Sequence, residues 1–97
     1  HPLPRYTASA RDLALLCSDE LPVQAIEKAI RAAVPDILES AELFDVYRGS
    51  QIPEGKKSLA FNLVLRAADR TLTDAEVSAA MDRALDAVKA LGAELRS

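Results

Sequence analysis

The side chains best suited to chemistry lie in the middle of the chain, in two strand-like runs joined by a loop. The first run, LFDVYRG, alternates Phe44 and Val46 with Asp45 and Tyr47, and in the second run, KKSLAFNLVL, Ser58 belongs to the smaller, more polar set. A period of two places one set on a core and the other on the opposite face of a sheet. A tyrosine ring can stack, a hydroxyl can donate and accept, and a carboxylate accepts hydrogen bonds. This open sheet face could therefore hold a ligand.

Catalytic and metal-binding residue sets are absent from the sequence. His1 is the one histidine and Cys17 the one cysteine, so neither a Cys/His metal site nor a nucleophile with a histidine base can form. The stretch GSQIPEGKKS separates its glycines by five residues and precedes a strand rather than a helix, unlike a phosphate-binding loop. We therefore expect no catalytic, cofactor-binding or metal-binding residue in this chain.

Composition indicates one globular domain. The 97 residues are 49% apolar and 28% charged, with a net charge of −3. An acidic domain does not bind nucleic acid by bulk charge, so a nucleic-acid role would need a local basic patch. Cys17 is in step with Leu13 and Leu15, which predicts a buried free thiol and suits a cytosolic compartment. No apolar run is long enough to cross a membrane, and we expect a cytoplasmic protein that forms the C-terminal piece of a longer chain.

The hydrophobic pattern predicts six elements after an extended N-terminal arm over residues 1–10, which contains Pro2 and Pro4. Residues 11–97 then form the domain. A first helix begins at Pro22 and stops before Pro35. A second helix begins with a capping box, in which Thr73 and Glu76 cap each other, and it ends at Gly92. Strands are predicted over residues 11–17, 37–48, 57–66 and 93–96.

The order of these elements predicts an α+β fold of the ferredoxin-like βαββαβ type, a four-stranded antiparallel sheet with two helices on one face. We expect the helices to cover the apolar set of the strands, which comprises Leu13, Leu15, Phe44, Val46, Leu59, Phe61, Leu63 and Leu95. We expect the open face to carry Ala14, Asp45, Tyr47, Ser58, Ala60, Asn62, Glu94 and Arg96.

RNA-recognition motifs share this element order but present aromatic residues on the open face. Turning Phe61 outward here would also expose Leu59, Leu63 and Leu65, because residues two apart lie on the same face of a strand. The pattern favours an inward Phe61 and leaves Tyr47 as the aromatic residue of the open face.

Four stretches in series, RDLAL, ELFDVYRG, GKKSLAF and RTLTDAEV, closely resemble the C-terminal ferredoxin-fold anticodon-binding domain of the bacterial phenylalanyl-tRNA synthetase beta subunit. The resemblance extends from Tyr6 to Arg96. It implies a domain without a cofactor that binds the anticodon stem-loop of tRNA-Phe. It also implies a cytoplasmic α₂β₂ parent ligase that uses ATP and magnesium, with catalysis on the alpha subunit.

The family's anticodon contacts, carried over by motif, fall on Asp45, Tyr47 and Ser58, and further on Ala14 and Arg96. All five belong to the set that the alternation places outward. Basic side chains around the central hairpin complete the predicted interface, and the phosphate contacts are assigned to Lys56, Lys57 and Arg66.

Two other classes of function remain open at this point. One is a ferredoxin-like regulatory domain that binds a small molecule in pockets at the helix edges. The other is a structural interaction module with no ligand of its own.

Overall fold

The computed structural model describes residues 6–96 and contains the six elements in the predicted order. The strands form one antiparallel sheet in the order β2-β3-β1-β4. Both helices pack on one face of it, which confirms the α+β ferredoxin-like architecture. The elements are β1 (Ser9–Ser18), α1 (Val23–Ala33), β2 (Leu38–Tyr47), β3 (Lys56–Leu65), α2 (Asp74–Lys89) and β4 (Glu94–Leu95).

The first strand begins two residues earlier than predicted, inside the stretch interpreted as an extended arm. Ser9 and Ala10 pair with Leu65 and Val64, so β1 uses the full length of β3. Residues 6–8 belong to no helix or strand. Residues 1–5, the rest of the predicted arm, lie outside the described residues.

The core lies between the helices and the two central strands. Leu13 pairs with Phe61 and Leu15 with Leu59 across β1 and β3, and these four side chains are buried. Burying one such side chain contributes roughly 1.5–3 kcal/mol. The predicted inward direction of Phe61 is confirmed, and an RNA-recognition motif with Phe61 on the open face is excluded.

The strand β2 contains two bulges, and the second one changes the predicted pattern. Leu43 pairs with Phe61 and Asp45 pairs with Ala60, so Phe44 is the extra residue between the two pairs. Phe44 is 59% exposed, and the prediction that the helices cover it is wrong. Val46 pairs with Leu59 on the core face, yet the helices leave it 40% exposed.

Leu95 also differs from its prediction. It pairs with Leu15 on the core face, but it lies on a two-residue edge strand and is half exposed. The helices therefore do not bury Leu95 as expected.

The helix ends follow the sequence signals. Val34 ends α1 directly before Pro35. Gly92 has a positive φ of 93°, the left-handed backbone conformation that commonly ends an α-helix. The amide of Ala93 donates to the carbonyl of Val88 (3.1 Å) and the amide of Gly92 to that of Lys89 (2.9 Å), which is a Schellman motif.

The predicted capping box of α2 is present. The Glu76 amide donates to Thr73 Oγ1 and the Thr73 amide to Glu76 Oε1, both at 3.1 Å. Arg70 also donates to the Glu76 carboxylate, and this hydrogen bond is the largest cause that lowers the pKa of Glu76 from 4.5 to about 2. The folded chain therefore favours the ionised carboxylate.

This lowered pKa predicts an acid-dependent contribution to stability. The contribution of Glu76 should be complete above pH 4.5 and should be lost as the pH falls through about 2. Protonation at low pH removes the ionised carboxylate that the folded state stabilises. We expect the free energy of unfolding of the native chain to exceed that of Glu76→Gln by an amount that shrinks over this range. Urea titrations followed by circular dichroism measure it. Arg70→Gln should make the dependence shallower, and a difference that does not vary with pH would contradict this account.

Candidate nucleic-acid interface

The open face is the side of the sheet opposite the helices, and the strand register orders its side chains in rows. Tyr47 of β2 pairs with Ser58 of β3, and Ser58 pairs in turn with Leu16 of β1. The next row contains Asp45, Ala60 and Ala14, and a further row of paired residues follows along the strands. Directly paired residues share one face of a sheet. All predicted anticodon contacts on β1, β2 and β3 therefore lie on this face.

Three predicted site residues form one contact group, which we call the Tyr47 cluster: Tyr47, Ser58 and Arg96. Arg96 donates from Nη1 to Ser58 Oγ (3.1 Å), and its guanidinium carbon lies 5.9 Å from the centroid of the Tyr47 ring. A cation at this distance over an aromatic ring is attracted by it. The long Arg96 side chain thus crosses β1 and links the last strand to the central hairpin.

Ala14 and Asp45 flank the Tyr47 cluster in different ways. The Arg96 backbone lies beside Ala14, because the Arg96 amide donates to the Ala14 carbonyl (2.8 Å). The side chain of Ala14 is small and leaves the open face accessible at this point. Asp45 is exposed in the row next to Tyr47. Within residues 6–96 its carboxylate accepts no hydrogen bond, so its oxygens remain available to a ligand.

Burial divides the cluster into a covered and an accessible part. Ser58 is 5% exposed although it points to the open face, because Arg96 and Tyr47 lie over it. Tyr47 is 38% exposed. A ligand on this face therefore meets the tyrosine ring and the guanidinium before it meets the serine.

A second polar pair extends the open face toward the other end of the sheet. Asn62 donates from Nδ2 to Asp12 Oδ1 (3.1 Å), and the two residues are partners in the β1–β3 register. Glu42 lies opposite Asn62 on β2. The carboxylates of Asp12 and Glu42 make this end of the open face acidic.

Asp19 anchors the loop that follows Tyr47. Its amide donates to the Gly55 carbonyl (2.8 Å), and its carboxylate accepts from Arg48 Nε (2.6 Å). Its carbonyl accepts from Lys57 Nζ (3.1 Å). Three contacts of one residue thus tie the turn after β1 to both ends of the β2–β3 loop, which holds the end of the sheet that carries Tyr47.

Lys57 does not lie where its predicted phosphate contact requires. It is 5% exposed, pairs with the buried Cys17 on the core face, and directs its amine to the Asp19 carbonyl. The alternation of β3 explains this position, since Lys57 is two residues before Leu59 and shares its face. The assignment of Lys57 to phosphate binding is corrected accordingly.

The other basic residues do not form one patch. Lys56 is half-buried at the loop end of β3, whereas Arg66 lies beyond the opposite end, about 26 Å from Ser58 for eight residues of extended chain. Arg66 donates to Glu39 (2.9 Å) and to the Tyr6 carbonyl. Of the three predicted phosphate contacts, Lys56 alone is both near the Tyr47 cluster and accessible, because Lys57 is buried on the core face.

The structure offers no sign of metal or thiol chemistry in the part of the chain it describes. Across residues 6–96, no group of three or more His, Cys, Asp or Glu side chains could hold a metal ion. Burial raises the pKa of the Cys17 thiol, which the lysines Lys57 and Lys56 counteract in part. Cys17 is therefore the buried apolar side chain that its phase with Leu13 and Leu15 predicted.

No helix within the described part of the chain is long and apolar enough to span a membrane.

Sequence reasoning missed two residues that shape the interface. The role of Asp19 depends on loops that are distant in sequence, so no local pattern could reveal it. Gly49 has no positive φ, and a Cβ atom built on it would overlap the Tyr47 phenol, so its role depends on a side-chain contact rather than on backbone conformation. No local sequence signal predicts this contact, because Gly49 lies at a bend after β2, where the alternation of a strand no longer applies.

The positions of the two adjacent lysines predict different mutational effects. Lys57→Ala should lower the free energy of unfolding by about 1–3 kcal/mol, because it removes a buried stem and leaves the Asp19 carbonyl without its charged donor. Lys56→Ala should change it by less than about 0.5 kcal/mol. Chemical denaturation of both variants measures the difference. Equal stabilities would contradict the structural role of Lys57.

Comparison with known proteins agrees with the fold. The chain matches the family described as the ferredoxin-fold anticodon binding domain over residues 4–96. It is 52% identical over 99% of its length to the phenylalanine–tRNA ligase beta subunit of Symbiobacterium thermophilum, and 54% identical over 97% of its length to that of Clostridium tetani. The Trichormus variabilis beta subunit is 50% identical over 99% of the chain.

The chain spans 11–12% of the length of these relatives, so it corresponds to a small part of each of them. The matched region contains all six elements and every member of the Tyr47 cluster. The chain belongs to the ferredoxin-fold anticodon binding domain family.

Proposed function

We propose that this chain binds the anticodon stem-loop of tRNA-Phe as a domain of a phenylalanine–tRNA ligase beta subunit. The observation that carries the proposal is the Tyr47 cluster, in which an accessible tyrosine ring and a guanidinium meet on an open sheet face. Membership of the anticodon-binding family and the names of the relatives support the same reading. Neither a regulatory small-molecule site nor a purely structural role has comparable support.

Tyr47 supplies the stacking surface for an anticodon base. Loop bases of RNA are unstacked and are commonly bound on aromatic side chains or guanidinium planes. Tyr47 is an exposed aromatic residue of the open face, and its exposed surface adjoins the Arg96 guanidinium. A base stacked on an aromatic side chain gains about 1–3 kcal/mol.

Arg96 and Asp45 supply hydrogen bonds of opposite kind beside the ring. Arg96 has five N–H donors, of which one is directed to Ser58, so others remain for a base edge or a phosphate. Asp45 can accept from the amino or imino groups of a base. Ser58 then acts mainly by orienting Arg96, and it reaches a base directly when the guanidinium moves aside.

The charge distribution favours selectivity over raw affinity. The domain is acidic, Arg48 and Arg66 are paired with Asp19 and Glu39, and Lys57 is buried. Contacts to phosphates set position, whereas contacts to bases carry the sequence information. Lys56 provides a phosphate contact near the cluster, and the remaining electrostatic attraction would come from other parts of the ligase.

In the parent enzyme, this domain would act as one part of a tetramer of two alpha and two beta subunits. In this proposal, catalysis with ATP and magnesium belongs to the alpha subunit, as the resemblance to the family implies. The enzyme would act in the cytoplasm, where tRNA is charged for protein biosynthesis.

Replacing Tyr47 tests the binding surface directly. Tyr47→Ala should weaken binding of a tRNA-Phe anticodon stem-loop to the chain by about 5- to 150-fold, the equivalent of 1–3 kcal/mol of lost stacking. Tyr6→Ala is the matched control, because Tyr6 is also exposed but lies at the other end of β3, where its carbonyl accepts from Arg66. Fluorescence anisotropy with a labelled stem-loop measures both. Equal affinities for Tyr47→Ala and the native chain would refute the proposed platform.

The same replacement in the whole ligase separates recognition from chemistry. Tyr47→Ala should reduce aminoacylation of tRNA-Phe and leave phenylalanine-dependent ATP–pyrophosphate exchange unchanged, since amino-acid activation does not require the anticodon contact. The 97-residue chain alone should show no such exchange above a protein-free control. Loss of exchange in the Tyr47→Ala enzyme would indicate a structural rather than a recognition defect.

A further inference from the structure

Gly49 lies against the ring on which the proposed function depends. A Cβ atom built on Gly49 would overlap Oη and Cζ of Tyr47 and would lie 3.0 Å from Cε1. Real carbon contacts are not this short, so a side chain at this position and the present ring orientation exclude each other. The absent side chain of Gly49 is therefore a condition for the observed Tyr47 conformation.

The backbone does not require glycine at this position. Gly49 has no positive φ, in contrast to Gly55 in the same loop, whose φ is 83°. Gly55 needs its glycine for conformation, and nothing lies within 4 Å of a Cβ built there. The two glycines of the loop thus serve different purposes, and that of Gly49 concerns space for Tyr47.

We propose that Gly49 is a positioning residue for anticodon recognition: its missing side chain lets the Tyr47 ring lie against the loop, in contact with Arg96. This inference rests on the proposed function, because it assigns what orients the stacking ring. Gly49 itself does not have to touch RNA.

A methyl group at Gly49 would move the ring rather than the backbone. The loop backbone is held on both sides, by the hydrogen bond from the Ile52 amide to the Gly49 carbonyl (3.0 Å) and by the pairing of Arg48 with Asp19 (2.6 Å). The Tyr47 ring is at the end of a side chain, is partly exposed and lies outside the core cluster. A change to another rotamer resolves the overlap at small cost to folding.

The binding test is a double-mutant cycle on the 97-residue chain with the labelled tRNA-Phe stem-loop as probe. Gly49→Ala should weaken binding about fivefold or more, within the range expected for loss of one stacked base. Tyr47→Ala combined with Gly49→Ala should bind as Tyr47→Ala does, because a residue that acts through the ring has no effect once the ring is gone. Additive losses would overturn the proposal, since Gly49 would then act independently of Tyr47.

A measurement without RNA separates this proposal from the proposed function. In the native chain, NMR should show cross-peaks from the Tyr47 ring protons to the Gly49 Hα protons and to the Arg96 Hδ protons, and Gly49→Ala should abolish the Arg96 set. If Tyr47→Ala leaves binding unchanged, the proposed platform fails whatever Gly49 does. If Tyr47→Ala weakens binding while Gly49→Ala keeps both affinity and cross-peaks, the positioning role alone is overturned.

Gly55→Ala is the matched control, with the same substitution in the same loop. It should lower the unfolding temperature because of its positive φ, yet keep the Tyr47–Arg96 cross-peaks and bind the stem-loop as the native chain does at a temperature where it is folded. If Gly49→Ala unfolds the chain even in the Tyr47→Ala background, the backbone rather than the ring requires glycine, and the proposal is refuted.

Discussion

The bulge at Phe44 decides which side chains of β2 face the helices and which face outward. Leu43 and Val46 lie on the core face and Asp45 and Tyr47 on the open face, an arrangement that strict alternation cannot provide. The extra residue, Phe44, allows both pairs of side chains to lie on these faces. Without it, a strand that keeps Leu43 inward would direct Asp45 and Tyr47 at the core, and burying an unpaired carboxylate is costly. Exposing Phe44 is the smaller cost, because single exposed apolar side chains are common on protein surfaces.

The candidate site uses the whole width of the sheet. Tyr47 lies on one edge strand and Arg96 directly after the other, with β3 and β1 between them, roughly 14 Å across three strand spacings. The Arg96 side chain extends over β1 to Ser58, and the Tyr47 ring approaches its guanidinium from the other side. The site therefore exists only when the short strand β4 is paired. The core under the central strands supports this candidate site, and Arg96, directly after β4, completes it.

The basic residues near the hairpin are used mainly inside the domain. Lys57 and Arg48 bind the carbonyl and carboxylate of Asp19, and Arg66 binds Glu39. Such contacts fix loops and strand ends, and exposed ion pairs of this kind contribute little to stability individually. Their consequence for function is that few cations remain for phosphates. This charge distribution is consistent with the proposed function, in which this domain contacts bases and other parts of the ligase attract the RNA.

The sequence by itself determined the element order, the ferredoxin-like fold, the capping box and the direction of Phe61, because these depend on local periodicity and on residues close in the chain. It also indicated that Tyr47, Ser58 and Arg96 share the open face. The tertiary structure alone decided that Phe44 is exposed, since alternation can be counted from either side of a bulge. Contacts between distant segments likewise decided the burial of Lys57 and the anchoring role of Asp19. The same holds for the closure of Arg96 over Ser58, because each depends on where a neighbouring strand or loop lies, which no short stretch of sequence encodes.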